Sequence, residues 1–229
     1  MAFSYLKETD NDVSGLNLRR QVKILIIKEL NMKAIIYFIS ILMLTVFLSD
    51  SYAQDKMQDA LTVIHNRKSV RSFTGEGVTK EELDKILRAG MAAPTAVNKQ
   101  PWSFIAVTDR KTLNALKDGL PYAKMLDKAG AAIIVCAIPE KAYEKSTEFA
   151  IIDSTCASEN ILLAAEALGL GAVWTAAYPA KDRMDLVRKT LNIPEDIIPL
   201  NVIPIGHPAG DDKPKDKYKP ENIHWEKWQ

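Results

Sequence analysis

The hydrophobic positions beyond residue 57 predict several helices. A stripe that begins at Leu83 follows a capping box of Thr79 and Glu82, whose side chains satisfy the first backbone donors of a helix. Residues 148–168 are almost entirely small or apolar, which predicts the longest helix and places it in the interior or in a subunit interface. Two further helices are predicted, from Thr108 or Asp109 through Leu116 and from Asp182 to Leu191.

Shorter apolar runs predict β-strands at residues 102–108, 131–138, 172–176 and 198–205. The run at 131–138 is apolar without interruption, which is typical of a central strand covered on both faces. Pro199 and Pro204 interrupt the last run. Because proline cannot donate a ladder hydrogen bond, we expect an edge position or bulges there.

Two polar stretches complete this pattern. Residues 92–101 are small, polar and bracketed by prolines, which predicts a loop. From Gly206 the chain is polar and lysine-rich, and it ends near Trp225 and Trp228. Two tryptophans on a terminal tail need a surface that buries them, and a second subunit is the expected one.

The N-terminal quarter has a different character. Met32 and Lys33 precede an uncharged run from Ala34 to Leu48, and a small-residue stretch ends at Ala53. This pattern predicts a signal peptide at 32–53, cleaved after Ala53, and a periplasmic protein. The run falls short of the roughly 20 residues of a membrane span, and an uncleaved anchor or a cytoplasmic protein is the alternative. Residues 1–31 are then an upstream over-extension, with Met32 as the true start, or a real extension; residues 54–229 form the domain.

Composition and scattered polar residues exclude several classes of function. The net charge of +1 gives no electrostatic case for nucleic acid. Cys136 and Cys156 lie in apolar or small-residue runs, and neither they nor the three histidines have metal-ligand spacing. No catalytic triad or paired-carboxylate arrangement is visible, so no catalytic side chain is predicted. The lack of such an arrangement is compatible with a protein in which a bound cofactor carries out the chemistry.

The stretch from Asn66 to Phe73 is the most specific chemical signal. In an extended conformation Arg67, Ser69 and Arg71 share one side, while Val70 points to the other. Guanidinium groups and a hydroxyl so arranged suit a phosphate monoester. By itself the stretch is also compatible with a solvated basic turn.

Together these segments resemble the nitroreductase-like FMN oxidoreductases over residues 57–228. The motifs that carry the resemblance are 67–73, 93–102, 169–174 and the ending 205–208 with the lysine-rich tail. The resemblance implies an α+β fold: a three-layer sandwich with a mostly antiparallel central sheet flanked by helices. It also implies an intertwined homodimer with FMN at the subunit interface.

The resemblance further implies FMN contacts, carried over residue by residue. The positions matching the phosphate and ribityl contacts are Arg67, Lys68, Ser69 and Arg71, with the C-terminal cations Lys215 and Lys217. Those matching the loop that the partner subunit lays along the flavin are Pro94, Thr95, Ala96 and Asn98. Those beside the ring are Trp174, Thr175 and Ala176, with Lys124 as a nearby cation. Lys68 stands where the family often has arginine, and Ala176 where glycine is common, so these two positions depart from the pattern.

The activity implied is a ping-pong cycle in which FMN takes hydride from NAD(P)H and reduces a nitroaromatic, quinone or similar acceptor. Two alternatives stay open: other flavin chemistry on the same fold, such as reductive dehalogenation or flavin breakdown, and a non-enzymatic exported flavin carrier. Export also bears on the donor, because NAD(P)H is not normally available outside the cytoplasmic membrane. The physiological donor is then another reductant, or the N-terminus is not cleaved and the topology differs.

Overall fold

The computed structural model describes residues 23, 35–37 and 59–228, and the chain divides into two compact units, Met1–Met57 and Gln58–Gln229. In the first unit the described residues are helical and exposed. The predicted extension at 1–31 and signal peptide at 32–53 thus lie almost wholly outside the described residues. No helix within the described ranges is long and apolar enough to cross a membrane.

Five strands of the second unit form one sheet. They are β1 (Trp102–Val107), β2 (Ala131–Ala137), β3 (Gly171–Ala172), β4 (Thr175–Ala176) and β5 (Ile198–Gly206). Their order is β1-β2-β5-β3, with β4 also paired to β5, and all of these pairings are antiparallel. Residues of β2 are buried along its whole length, as its uninterrupted apolar pattern predicted.

The prolines of β5 have two consequences. Of the two expected alternatives, the edge position is not found, because β5 pairs with β2 on one side and with β3 and β4 on the other. The predicted bulge is present: Val135 faces Asn201 while Cys136 faces Pro199, so Leu200 is the extra residue. Proline is tolerated in this central strand because the ladder is already interrupted beside Pro199.

The single strand predicted at 172–176 is instead two short strands, β3 and β4. Both keep one register against β5, and the gap between them falls at Val173 and Trp174. The Val173 N–H donates to the Pro204 carbonyl at 3.3 Å. Pro204 has no N–H to return the bond, which explains why the ladder breaks there.

The described residues of the second unit form five α-helices: α1 (Ala60–Asn66), α2 (Lys80–Met91), α3 (Arg110–Gly119), α4 (Thr147–Ala167) and α5 (Lys181–Leu191). The capping box of Thr79 and Glu82 is present at the start of α2, which confirms the prediction made from these two residues. Asp109 caps α3 by accepting the Thr112 N–H, and Ser146 caps α4 by accepting the Phe149 N–H.

The core has two halves, one on each face of the sheet. Ile133 of β2 packs with Ile86 of α2 and Ile161 of α4. The neighbouring Ile134 points to the other face, where the core contains Leu116 of α3 and Val187 of α5. The second unit therefore forms the predicted α+β sandwich of three layers, with α2 and α4 on one side of an antiparallel sheet and α3 and α5 on the other.

Candidate functional site

The basic segment 67–71 crosses the end of β3. Ser69 forms a parallel bridge with Ala172, and the Val70 N–H donates to the Ala172 carbonyl at 3.0 Å. Val70 is buried, while Arg71 is exposed. A Cβ atom on Gly171 would lie 2.6 Å from a Val70 side-chain atom, so glycine permits this close approach. The sheet thus holds the segment extended, with the arrangement that alternation predicted around Val70.

A large cleft brings the two ends of the domain together. Its volume is about 630 Å³, and its lining includes Arg67 from the basic segment and Lys215 and Lys217 from the tail. His65 and Tyr218 contribute further walls. Three cations around one cleft, nearly 150 residues apart in the chain, favour an anionic ligand such as a phosphate monoester.

Helix α4 supplies counter-ions to the basic segment. The Arg67 Nε lies 3.3 Å from a Glu159 carboxylate oxygen. The Lys68 Nζ donates to both carboxylate oxygens of Glu166, at 2.9 and 3.1 Å. The Lys68–Glu166 pair is largely buried, and Lys68 lines neither of the clefts described here. Lys68 therefore anchors the segment to α4, apart from the other predicted phosphate contacts.

A smaller cleft lies where the segment continues past β3. Its volume is about 270 Å³, and it brings Arg71 together with the predicted residues Trp174, Thr175 and Ala176. The sequence did not single out the rest of the lining, which is Leu120, Pro121, Tyr122, Met125, Val173 and Arg183. Most of these are apolar, so this cleft offers a wall suited to a planar ring.

Arg183 and Tyr122 are the charged and aromatic residues that sequence reasoning missed. The Arg183 guanidinium carbon lies 5.4 Å from the centroid of the Tyr122 ring, a cation–π distance. Neither residue is part of a recognisable motif. Arg183 lies among charged residues at the start of α5, and Tyr122 lies in the turn after α3. Their proximity depends on how that turn packs beside α5, which no local pattern in the sequence indicates.

Lys124 and the predicted loop at 94–98 lie outside both clefts of the same chain. Lys124 is exposed in a short 3₁₀ helix, Lys124–Asp127, next to the cleft residue Met125. None of Pro94, Thr95, Ala96 and Asn98 lines either cleft. That placement agrees with a loop that serves a partner subunit, and this role stays a prediction.

The loop is nevertheless held firmly. The Ala96 N–H donates to the carboxylate of Asp153, a buried residue of α4, at 3.2 and 3.3 Å to its two oxygens. Val97 and Asn98 have positive φ values of 44° and 57°, which non-glycine residues seldom adopt. The buried carboxylate thus supports a strained backbone, a feature that is often found at binding sites.

Side chains capable of metal binding or nucleophilic attack are not gathered anywhere in the described residues. Within them no group of three or more His, Cys, Asp and Glu could hold a metal ion. Cys136 and Cys156 are both free, and burial raises the pKa of the Cys136 thiol to about 12. A thiol with that pKa stays protonated near neutrality and is a poor nucleophile.

The antiparallel three-layer fold, with the smaller cleft beside β4 and the larger cleft between the basic segment and the tail, defines a chain of the nitroreductase-like fold class. Residues 64–124 and 115–207 match the model of the Nitroreductase family, so the chain belongs to that family. The resemblance drawn from the sequence motifs is confirmed.

Three relatives illustrate this likeness. A protein of Methanothermobacter thermautotrophicus, provisionally named an NADH dehydrogenase/NAD(P)H nitroreductase, is 45% identical over 170 residues, covering 74% of this chain and 88% of its own. The FMN reductase (NADPH) of Bacillus subtilis is 30% identical over 172 residues, or 67% of each chain. A crystal structure from Parabacteroides distasonis, with the same provisional name as the first, superposes with a TM-score of 0.70 at 49% identity, over 75% of this chain and 99% of that one.

Proposed function

We propose that the protein is an FMN-dependent oxidoreductase that uses NAD(P)H, or another donor, to reduce nitroaromatic, quinone or similar acceptors in a ping-pong cycle. Membership of the Nitroreductase family and relatives named as NAD(P)H nitroreductases and FMN reductases support the type of enzyme and the cofactor. The structural observation that carries the proposal is the cleft in which Arg67 meets Lys215 and Lys217.

The hydrogen-bond donors and cations that line the two clefts fit FMN. The larger cleft offers a guanidinium and two ammonium groups, which match the charge of a phosphate monoester. Ser69 adds a hydroxyl on the same segment. The walls of the smaller cleft are mostly apolar, and Thr175 of β4 adds a polar residue to them. Because residues 67–71 contribute to both clefts, one elongated ligand with a phosphate at one end and a ring at the other suits them together.

Each part of the chain then has a defined task. Arg67, Lys215 and Lys217 bind the phosphate, and Arg71 with residues 174–176 meets the polar edge of the ring. When bound, FMN supplies the redox chemistry, taking a hydride from the donor and passing electrons to the acceptor. The apolar residues Met125 and Val173 keep water from one side of the ring cleft.

We further propose that the active form is a homodimer. Large apolar side chains are exposed on α1 and α4, among them Leu61, Ile64 and Ile152, and on the tail at Trp225 and Trp228. Such a set is larger than isolated monomers usually expose, and a second copy would cover it. Sedimentation at micromolar concentration tests this point, and a monomer that binds FMN normally would contradict it.

The proposed function is tested on the purified protein by its absorption spectrum and by turnover. We expect bound FMN that NADH or NADPH reduces, and reoxidation by a nitroaromatic or quinone. Protein that stays colourless after incubation with FMN would refute the proposal. Bound FMN that no donor reduces would favour a flavin carrier, and turnover only of halogenated aromatics or of the flavin itself would favour the alternative flavin chemistries.

We propose, finally, that residues 32–53 direct export. The uncharged run behind Lys33 supports this interpretation, because positive charge is retained inside the membrane. N-terminal sequencing of the protein from separated cell fractions tests it. A periplasmic chain beginning at Gln54 is expected, and a full-length chain in the cytosol would contradict export and restore NAD(P)H as the available donor.

A further inference from the structure

Arg183 lines the smaller cleft, and no acidic group among residues 59–228 forms an ion pair with it. Its Nε is buried and has no hydrogen-bond partner in the described residues. Buried polar atoms without partners are rare in native proteins, and each needs an explanation. The contact with Tyr122 holds the guanidinium over an exposed ring without satisfying its N–H groups.

Three other arginines of the same unit have side-chain partners. Arg88 pairs with Asp84, and Arg188 pairs with Asp185. Arg110 donates to the Leu126 and Ala129 carbonyls at 2.7 and 2.6 Å. Within residues 59–228, Arg183 makes no such bond.

The second guanidinium of the cleft belongs to Arg71, which is exposed and also has no counter-ion in the described residues. The backbone N–H of Arg71 donates to Asp212 at 3.3 Å, but its side chain makes no ion pair in the described part of the chain. Arg71 and Arg183 therefore line one cleft of about 270 Å³ as two like charges that have no counter-ion in the described part of the chain. Two like charges so placed repel each other until an anion enters between them.

We propose that Arg183 acts with Arg71 as a cation pair that stabilises the negative charge acquired by the flavin ring on reduction. This inference rests on the proposed function and assigns a new residue to it. A hydride carries two electrons and one proton, so a neutral ring that accepts one gains a single negative charge. Two guanidinium groups already in place favour that charged state over the oxidised ring. The Tyr122 face keeps the Arg183 guanidinium at the cleft.

The midpoint potential of bound FMN tests this role, measured by equilibration with a reference dye. In Arg183→Gln we expect reduced FMN to bind about tenfold more weakly relative to oxidised FMN, which corresponds to a potential about 30 mV lower. Arg183→Lys keeps the charge and should restore most of the wild-type potential. Lys189→Gln, at an exposed position of α5 outside the cleft, is the matched control and should leave the potential unchanged.

Tyr122→Leu provides a second variant that leaves the core intact, because the Tyr122 side chain is exposed. It should lower the potential in the same direction by a smaller amount, since the guanidinium loses its support. If Arg183→Gln does not fold, an unchanged potential in Tyr122→Leu overturns the inference.

Other outcomes also contradict it. An unchanged potential in folded, FMN-bound Arg183→Gln overturns the role, as does a change confined to the KM of an anionic acceptor such as 4-nitrobenzoate, which would make the pair a substrate subsite. A wild-type protein that binds no FMN overturns the proposed function itself, so the two failures are distinguishable.

Discussion

The two clefts on either side of Ser69 differ in how their positive charge is balanced. In the larger cleft Arg67 already lies 3.3 Å from Glu159, while Lys215 and Lys217 are exposed. In the smaller cleft Arg71 and Arg183 have no ion pair within the described chain. An anion that enters the larger cleft therefore competes with a carboxylate, whereas one that enters the smaller cleft relieves a repulsion.

This difference assigns different tasks to the clefts. Exposed lysines interact with a ligand through screened charge, which contributes modestly to affinity and depends on salt. The Arg183 guanidinium, whose Nε is buried, acts in a medium of lower dielectric, where it shifts the relative stability of charged states. The larger cleft is thus suited to hold a permanent charge, and the smaller cleft to respond to a charge that appears during the reaction.

The largest effect is expected from Arg67→Ala. Removing a charge-assisted bond to phosphate should weaken FMN binding by about 1.5–3 kcal/mol, or roughly tenfold to more than a hundredfold. Riboflavin, which lacks the phosphate, should bind the variant and the wild type equally. Flavin fluorescence titration measures both ligands, and Arg88→Ala, which removes a surface arginine of α2, is the matched control.

Two results would count against this assignment. Unchanged FMN affinity in Arg67→Ala would favour the solvated basic turn that the sequence also allowed. Equal losses for FMN and riboflavin would place Arg67 at the ring, and the contrast between the two clefts would then disappear.

The next largest effect is expected from the Lys68–Glu166 pair, which anchors the segment that contributes to both clefts. Glu166→Ala leaves the Lys68 ammonium without its largely buried partner, which should lower the free energy of unfolding by about 1–2 kcal/mol. Because the segment loses the more buried of its two ion pairs with α4, FMN and riboflavin should both bind more weakly, by similar factors. Urea denaturation and fluorescence titration measure the two quantities.

A double variant tests whether the lost stability comes from the broken Lys68–Glu166 pair. Lys68→Met combined with Glu166→Leu replaces the pair with apolar groups and should recover much of the lost stability. A double variant no more stable than Glu166→Ala would show that the pair is not what holds the segment.

How much of this arrangement the sequence could predict depends on the range of the interactions involved. The start of α2 was predictable from Thr79 and Glu82, because a capping box depends on residues three apart. The inward side of Val70 followed from alternation in an extended segment. The prolines of β5 predicted an edge position or bulges without distinguishing them, since Pro199 and Pro204 do not reveal that β3 and β4 pair with the same strand.

The site shows the same limit. Arg67, Lys215 and Lys217 were predicted through resemblance to a family whose ends converge, and the structure brings them to one cleft. Arg183 and Tyr122 could not be found, because their contact joins α5 to the turn after α3 across a long stretch of chain. Lys68 and Glu166 are 98 positions apart, so their pairing is also invisible in the sequence.

A smaller effect is expected from the tail. Lys215→Ala combined with Lys217→Ala should weaken FMN binding about threefold to fivefold at low salt, because exposed ammonium groups contribute little each. The difference from wild type should shrink as salt is raised, in contrast to Arg183→Gln, whose effect on the potential should persist. Lys219→Ala removes a tail lysine that does not line the cleft and serves as the control. A loss as large as that of Arg67→Ala would contradict the modest role given to the lysines.

The smallest effect, and the one of opposite sign, is expected from Glu159→Gln. Its carboxylate is about half exposed and pairs with Arg67 in the absence of ligand. Removing that competitor should tighten FMN binding about twofold to threefold and leave riboflavin binding unchanged, since only the phosphate competes with it. Titration with both ligands at low salt measures the change. Weaker FMN binding would mean that Glu159 orients Arg67 for the phosphate instead of competing with it, and the larger cleft would then be preorganised by its own counter-ion.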